Sequence, residues 1–96
     1  MSQRRIRCTL RALRRLDEIG SYITSENPAA AKRVVGRIVS AVEKLVAHPA
    51  MGRAGRISGT REVILGDIPY IIAYRVGDNI EILTILHTAQ RPPGKL

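Results

Sequence analysis

Ninety-six residues, 45% of them hydrophobic, supply one packed core and leave no room for a second independent domain, so residues 1–96 are read as a single domain. Cys8 is the single cysteine, which excludes an intramolecular disulfide and makes the cytoplasm the expected compartment. A net charge of +8, carried mostly by Arg, spreads a positive field over the surface and points to an anionic partner, either nucleic acid or an acidic protein segment.

The chain opens with an alternation over Arg4 to Thr9, where Arg5, Arg7 and Thr9 interleave with Ile6, Cys8 and Leu10, the period of an edge strand. From Leu10 the period becomes helical. Leu13, Leu16, Gly20 and Ile23, with Ala12 and Ile19 beside them, fall on one face, while Arg11, Arg14, Arg15, Glu18 and Tyr22 fall on the other. Arg7, Arg11, Arg14 and Arg15 break the stretch from Ile6 to Ile23, which therefore reads neither as a signal-peptide core nor as a membrane span. Thr9 is placed to cap this helix, and Asn27-Pro28 is a restart signal for a second one. Ala31, Val34, Val35, Ile38, Val39, Val42, Leu45 and Val46 then make an apolar stripe opposite Arg33, Arg37, Ser40 and Lys44. The short link between the two patterns predicts an antiparallel helical hairpin.

His48 to Thr60, punctuated by Pro49, Gly52, Gly55 and Gly59, has no apolar period and reads as a basic loop. Three β-rich runs follow, Arg61 to Leu65, Pro69 to Val76 and Ile80 to Leu86, separated by Gly66-Asp67 and Gly77-Asp78-Asn79. The expected fold is thus α+β: an N-terminal edge strand and a two-helix hairpin packed on an antiparallel sheet of about four strands, with one sheet face left partly open to a partner. The tail from Gln90 to Leu96, with Pro92, Pro93 and Gly94, is expected to be extended.

Few chemistries fit these residues. Two histidines, one cysteine and scattered acids match no metal-ligand spacing, so neither a metal nor any other cofactor is expected. Gly52-Arg53-Ala54-Gly55 lacks the lysine-threonine helix start of a phosphate-binding loop, and it does not lie between two helices as a nucleic-acid GxxG clamp does. Metal-free RNA cleavage needs a base, an acid and a cation for the phosphorane charge, for which His87, Glu62, Arg61, Arg75 and Arg91 are available if the fold brings them together. Equally, His87 can be a strand-end histidine bonded to backbone, and Arg61 and Arg75 can be edge charges that blunt sheet pairing. Three aromatic residues supply little stacking surface for single-stranded RNA.

Six short motifs in order resemble the RelE/ParE toxin superfamily of bacterial type II toxin–antitoxin modules, over nearly the whole chain. They are Ala12-Leu13-Arg14-Arg15-Leu16-Asp17-Glu18-Ile19, Asn27-Pro28 through Ala31, His48-Pro49-Ala50-Met51-Gly52-Arg53, Thr60-Arg61-Glu62-Val63, Tyr70-Ile71-Ile72-Ala73-Tyr74-Arg75-Val76 and Ile82-Leu83-Thr84-Ile85-Leu86-His87-Thr88-Ala89. In that superfamily a RelE-like member implies ribosome-dependent mRNA cleavage, and a ParE-like member implies poisoning of DNA gyrase without nuclease chemistry. His87 is followed here by Thr88 and Ala89 rather than an aromatic or basic residue, which favours the ParE-like branch, with no catalytic residues. Many members carry an Arg three residues after this His, where this chain has Gln90 and then Arg91.

The resemblance implies a cognate antitoxin, ParD-like or of another class, whose acidic C-terminal segment wraps the toxin in a hetero-oligomer. Arg11, Arg14, Arg15, Arg33 and Arg37 are the candidate antitoxin contacts. Arg61, Arg75, His87 and Arg91 are the candidate gyrase contacts, and they are also the residues a ribonuclease would use. A basic nucleic-acid-binding module without toxicity is the third reading.

Overall fold

The computed structural model describes residues 4–89. Its elements run β1 (Ile6–Cys8), α1 (Leu10–Glu26), α2 (Pro28–Ala47), β2 (Arg53–Ala54), β3 (Arg61–Leu65), β4 (Tyr70–Val76) and β5 (Ile80–His87).

Thr9 ends β1 in an extended conformation, and its hydroxyl accepts the Ala12 amide at 3.1 Å to start α1. A single residue then makes the hinge between the helices. The Asn27 amide donates to the Ile23 carbonyl at 2.7 Å, closing α1, while its side-chain oxygen accepts the Ala30 amide at 3.1 Å, opening α2. Pro28 follows at the first helical position, where no amide donor is needed.

The sheet has five strands in the order β1-β5-β4-β3-β2, one more than expected, and it is mixed rather than antiparallel. β1 runs parallel to β5, with Ile6 opposite Ile80 and Cys8 opposite Ile82, because the chain crosses the sheet through the helical hairpin before it returns. The extra strand, β2, lies inside the segment read as a loop. Its two residues are too few to show any period, and it forms only because Arg53 and Ala54 fold back on Glu62 and Arg61.

Val63, Leu65, Tyr70, Ile72, Tyr74 and Ile85 turn one sheet face toward α1 and α2, which answer with Ala12, Ile19, Val34, Ile38, Ala41 and Leu45. The helical stripes are rotated from the expected ones. Ala12 and Ile19 hold the centre of the buried face of α1, so Leu13, assigned to the core by its spacing, is 52% exposed, and Val39 of α2 is 41% exposed. On the reverse face of the sheet, expected to be partly open, Ile71, Ala73 and Thr84 are buried.

α1 also seals an edge. β1 covers only the first three residues of β5, and beyond them the outer carbonyls of β5 would face water. The Thr9 amide donates to Ile82, the Thr9 hydroxyl to Leu83 at 2.7 Å and Arg15 Nε to Ile85 at 3.1 Å, so these carbonyls are satisfied from the start of the helix.

Candidate functional site

The arginines of the helical hairpin divide into two kinds. Arg11, Arg14 and Arg33 are exposed and make no ion pair among the described residues. Arg15 is half-buried: besides its bond to Ile85 it meets Glu18 Oε2 at 3.1 Å. Arg37 Nε meets Asp67 Oδ2 at 2.7 Å, tying α2 to the turn between β3 and β4 and holding the Asp67 carboxyl below its ordinary value of 3.8. Three of the five arginines are therefore free to meet an anionic partner, while Arg15 and Arg37 already serve the fold.

Between the helices lies an apolar groove of about 750 Å³, lined by Leu13, Leu16, Gly20 and Val35 and rimmed by Asp17, Ser21, Thr24 and Ser25. Gly20 brings the helices close, since a Cβ there would stand 3.4 Å from Val35 Cγ2. The stripe rotation that exposes Leu13 creates this groove, and Leu10, 61% exposed, lies one helical turn before Leu13 on α1. Covering one such aliphatic side chain contributes about 1.5–3 kcal/mol, so an exposed row of them beside free arginines suits an amphipathic acidic segment.

The residues that RNA cleavage would need do not assemble. Arg61 stands opposite Tyr74 and His87 opposite Tyr70, so with β4 between them they lie about 13 Å apart along the strands and roughly 10 Å across. Arg61 Nη1 is spent on the Gly52 carbonyl at 2.8 Å. Arg75 alternates onto the reverse face and pairs with Glu81 at 2.8 Å. Acid–base catalysis requires contact within about 3 Å of one reacting group, and these three side chains cannot share one. Arg91 lies outside the described residues.

His87 instead lines a cleft of about 530 Å³ with Arg15, Glu18, Ile19, Tyr22 and Tyr70. Its ring packs edge-on against Tyr70, with centroids 5.3 Å apart, and its Nδ1 accepts the Ala89 amide at 3.0 Å. Helical spacing assigns Arg15 and Tyr22 to the solvent face of α1; Tyr22 is exposed there, but Arg15 is half-buried, and spacing does not show that the two meet the end of β5. Their spacing of seven residues is the one signal that puts both on a single helix face.

Glu62 is the other residue whose role the sequence hides. It is buried on β3, where Oε2 accepts the Arg56 amide at 3.1 Å and Oε1 faces Arg53 at 3.4 Å and Arg56 at 3.9 Å. A carboxylate taken out of water needs such partners, so Glu62 organises the basic loop and is not available as a catalytic base. Partial burial pushes the Cys8 thiol above its ordinary value of 9.0, keeping it protonated at neutral pH. Among the described residues no helix is long and apolar enough to cross a membrane.

The chain is similar to known proteins in sequence and in fold. Residues 6–92 match the family model described as the ParE toxin of the type II toxin–antitoxin system, parDE. The chain is 60% identical to the Y4kP protein of Sinorhizobium fredii over the full length of both, and 36% identical to the toxin RelE2 of Caulobacter vibrioides over 83 residues, 85% of this chain and 92% of that one. Among solved structures, one from the chromosomal ParDE system of P. aeruginosa superposes with a TM-score of 0.80 at 30% identity, covering 88% of this chain and 96% of that one. The RelBE2 toxin–antitoxin complex of Mycobacterium tuberculosis shares the fold, with a TM-score of 0.67 at 24% identity over 90% of this chain and 99% of that one.

Proposed function

The chain belongs to the ParE toxin family of type II toxin–antitoxin systems, and from that premise we propose that it acts by binding: it arrests DNA gyrase and is neutralised by a cognate antitoxin. The dispersal of His87, Arg61 and Arg75 carries this reading. A nuclease must gather an acid, a base and a phosphate-binding cation around one scissile bond, whereas here one is held at a strand end, one on a loop carbonyl and one on the reverse face in an ion pair. Capture of a large enzyme needs only surface, and the charge of +8 supplies a field that speeds encounter with an anionic one.

The antitoxin occupies the helical face. Its apolar side chains fill the groove at Leu13, Leu16 and Val35, and its acids meet Arg11, Arg14 and Arg33. The complex is a toxin–antitoxin hetero-oligomer.

A ribosome-dependent endoribonuclease is the second reading. It is favoured by the 36% identity to the toxin RelE2 and by the cleft that joins His87 to Arg15 and Tyr70. Purified protein incubated with gyrase and relaxed plasmid, and in parallel with translating ribosomes and mRNA, separates the two. Loss of supercoiling with intact mRNA is expected, and phased mRNA cuts with normal supercoiling overturn the gyrase reading. His87→Ala is expected to keep its toxicity; a folded, antitoxin-binding His87→Ala that has lost it argues for catalysis.

A further inference from the structure

The sheet has a second edge, and it is not sealed. β2 pairs only with Arg61 and Glu62 of β3, which leaves Val63, Ile64 and Leu65 without an outer neighbour among the described residues. The direction of each peptide group follows from the ladder. The Gly55 amide donates to the Thr60 carbonyl across the β2–β3 turn, so two residues on, the N–H and C=O of Glu62 point at β2 and those of Ile64 point outward in line with them. The other side of the sheet gives the same phase. The Thr88 amide donates to the Pro69 carbonyl, so Ile71 and Ala73 point at β5 while Tyr70, Ile72 and Tyr74 point at β3, where they meet Leu65, Val63 and Arg61. Ile64 is thus the residue of β3 with both backbone groups turned away from the sheet and, among the described residues, no strand to receive them.

What surrounds this edge selects a guest. A cleft of about 320 Å³ runs along this edge toward α2, and Met51, Ile64, Arg37, Lys44, Arg53 and Glu62 are among its lining residues. Arg37 is paired with Asp67 and Arg53 with Glu62, which leaves Lys44 as the lining cation with no ion pair among the described residues. Ile64 and Met51 are 49% and 45% exposed. An exposed strand edge bearing apolar side chains is the feature that soluble proteins usually blunt, and here Lys44 stands where an incoming acid would find it.

We propose that the open edge of β3 is a second antitoxin contact: a short extended segment of the antitoxin, alternating apolar and acidic residues, adds as a strand beside Ile64. This inference rests on the antitoxin reading above and deepens it. The apolar residue opposite Ile64 covers that side chain, its backbone takes the two outward groups of Ile64, and a flanking acid, turned to the helix face, reaches toward Lys44 on α2. Strand addition supplies main-chain bonds, while the alternate side chains set specificity.

Backbone amide exchange tests it without any mutation. The toxin, labelled with ¹⁵N, is titrated with the protein encoded by the reading frame adjoining its own gene. Free, the Ile64 amide exchanges quickly, and those of Val63 and Leu65, bonded to β4, are already protected. On binding, Ile64 is expected to slow at least tenfold, on the order of the protection given by a single strand-edge hydrogen bond. Binding that leaves Ile64 exchange unchanged overturns the edge contact and leaves the antitoxin reading standing. Absence of any binding removes both. Ile64→Pro adds an independent arm: it deletes only an outward donor, so the fold is kept, and affinity is expected to fall about tenfold, whereas unchanged affinity counts against the strand.

Discussion

The Tyr74 hydroxyl accepts the Gly52 amide at 2.9 Å and donates to the Pro49 carbonyl at 2.8 Å, so one buried phenol fixes the whole turn between α2 and β2. Gly52 is required there, because a Cβ would lie 2.7 Å from the hydroxyl and 2.8 Å from the Glu62 carbonyl. Tyr74→Phe is expected to cost about 1–3 kcal/mol by leaving a buried amide without a partner. Gly52→Ala is expected to cost at least as much, since the backbone atom it meets cannot swing aside. Urea denaturation of both variants measures this, and a Gly52→Ala protein of normal stability contradicts the packing described.

Arg14 and Arg15 are adjacent in sequence and opposite in role. Arg14→Glu is expected to slow antitoxin association and weaken its salt dependence while leaving the melting temperature unchanged, because the side chain is exposed and unpaired. Arg15→Ala is expected to lower stability by about 1 kcal/mol, through loss of the donor to Ile85. Stopped-flow association and thermal melting, run on the same pair, separate the two effects.

Leu13→Asp places a charge in the groove between the helices. Its side chain is half out of the protein, so the fold should tolerate it, while antitoxin affinity is expected to drop by about 1.5–3 kcal/mol for a lost apolar anchor. Calorimetric titration of the variant against wild type reads the loss directly, and equal affinities would place the antitoxin elsewhere.

Asp67 contributes a pH dependence with a definite sign. Its carboxyl titrates below 3.8 when folded, chiefly because Arg37 bonds the charged form. The stabilisation is therefore complete above that ordinary value and is lost as the pH falls through the lower folded one. Asp67→Asn should flatten the acid limb of a melting-temperature profile and leave the slope near neutrality untouched.

The elements that bury a regular stripe were legible in the sequence. The Asn27-Pro28 restart, the change of period at Leu10 and the turns at Gly66 and Gly77 place both helices and β3 to β5 nearly where they are. Local periodicity does not carry pairing partners. It could not show that Arg53 and Ala54 would find Glu62 and Arg61, nor that β1 would run parallel to β5. The candidate site was less legible still. A helix face can be assigned from spacing only to within about one residue, and that residue decided whether Leu13 joined the core or the groove and whether Arg15 met water or Ile85. Arg61, Arg75 and His87 were each visible as residues that could do chemistry, but their separation depends on strand register, which appears only once the sheet is built.

The parallel pairing of Ile6–Cys8 with Ile80–Ile82 joins the first and the last strands of the sheet. During synthesis α1 emerges long before the strand that forms its floor, and Thr9 and Arg15 wait for carbonyls 74 and 70 positions downstream. A chain that stops before Ile80 lacks β5, so α1 keeps part of its apolar face bare and open to proteolysis. The chain therefore completes its fold only after translation has run almost to the end.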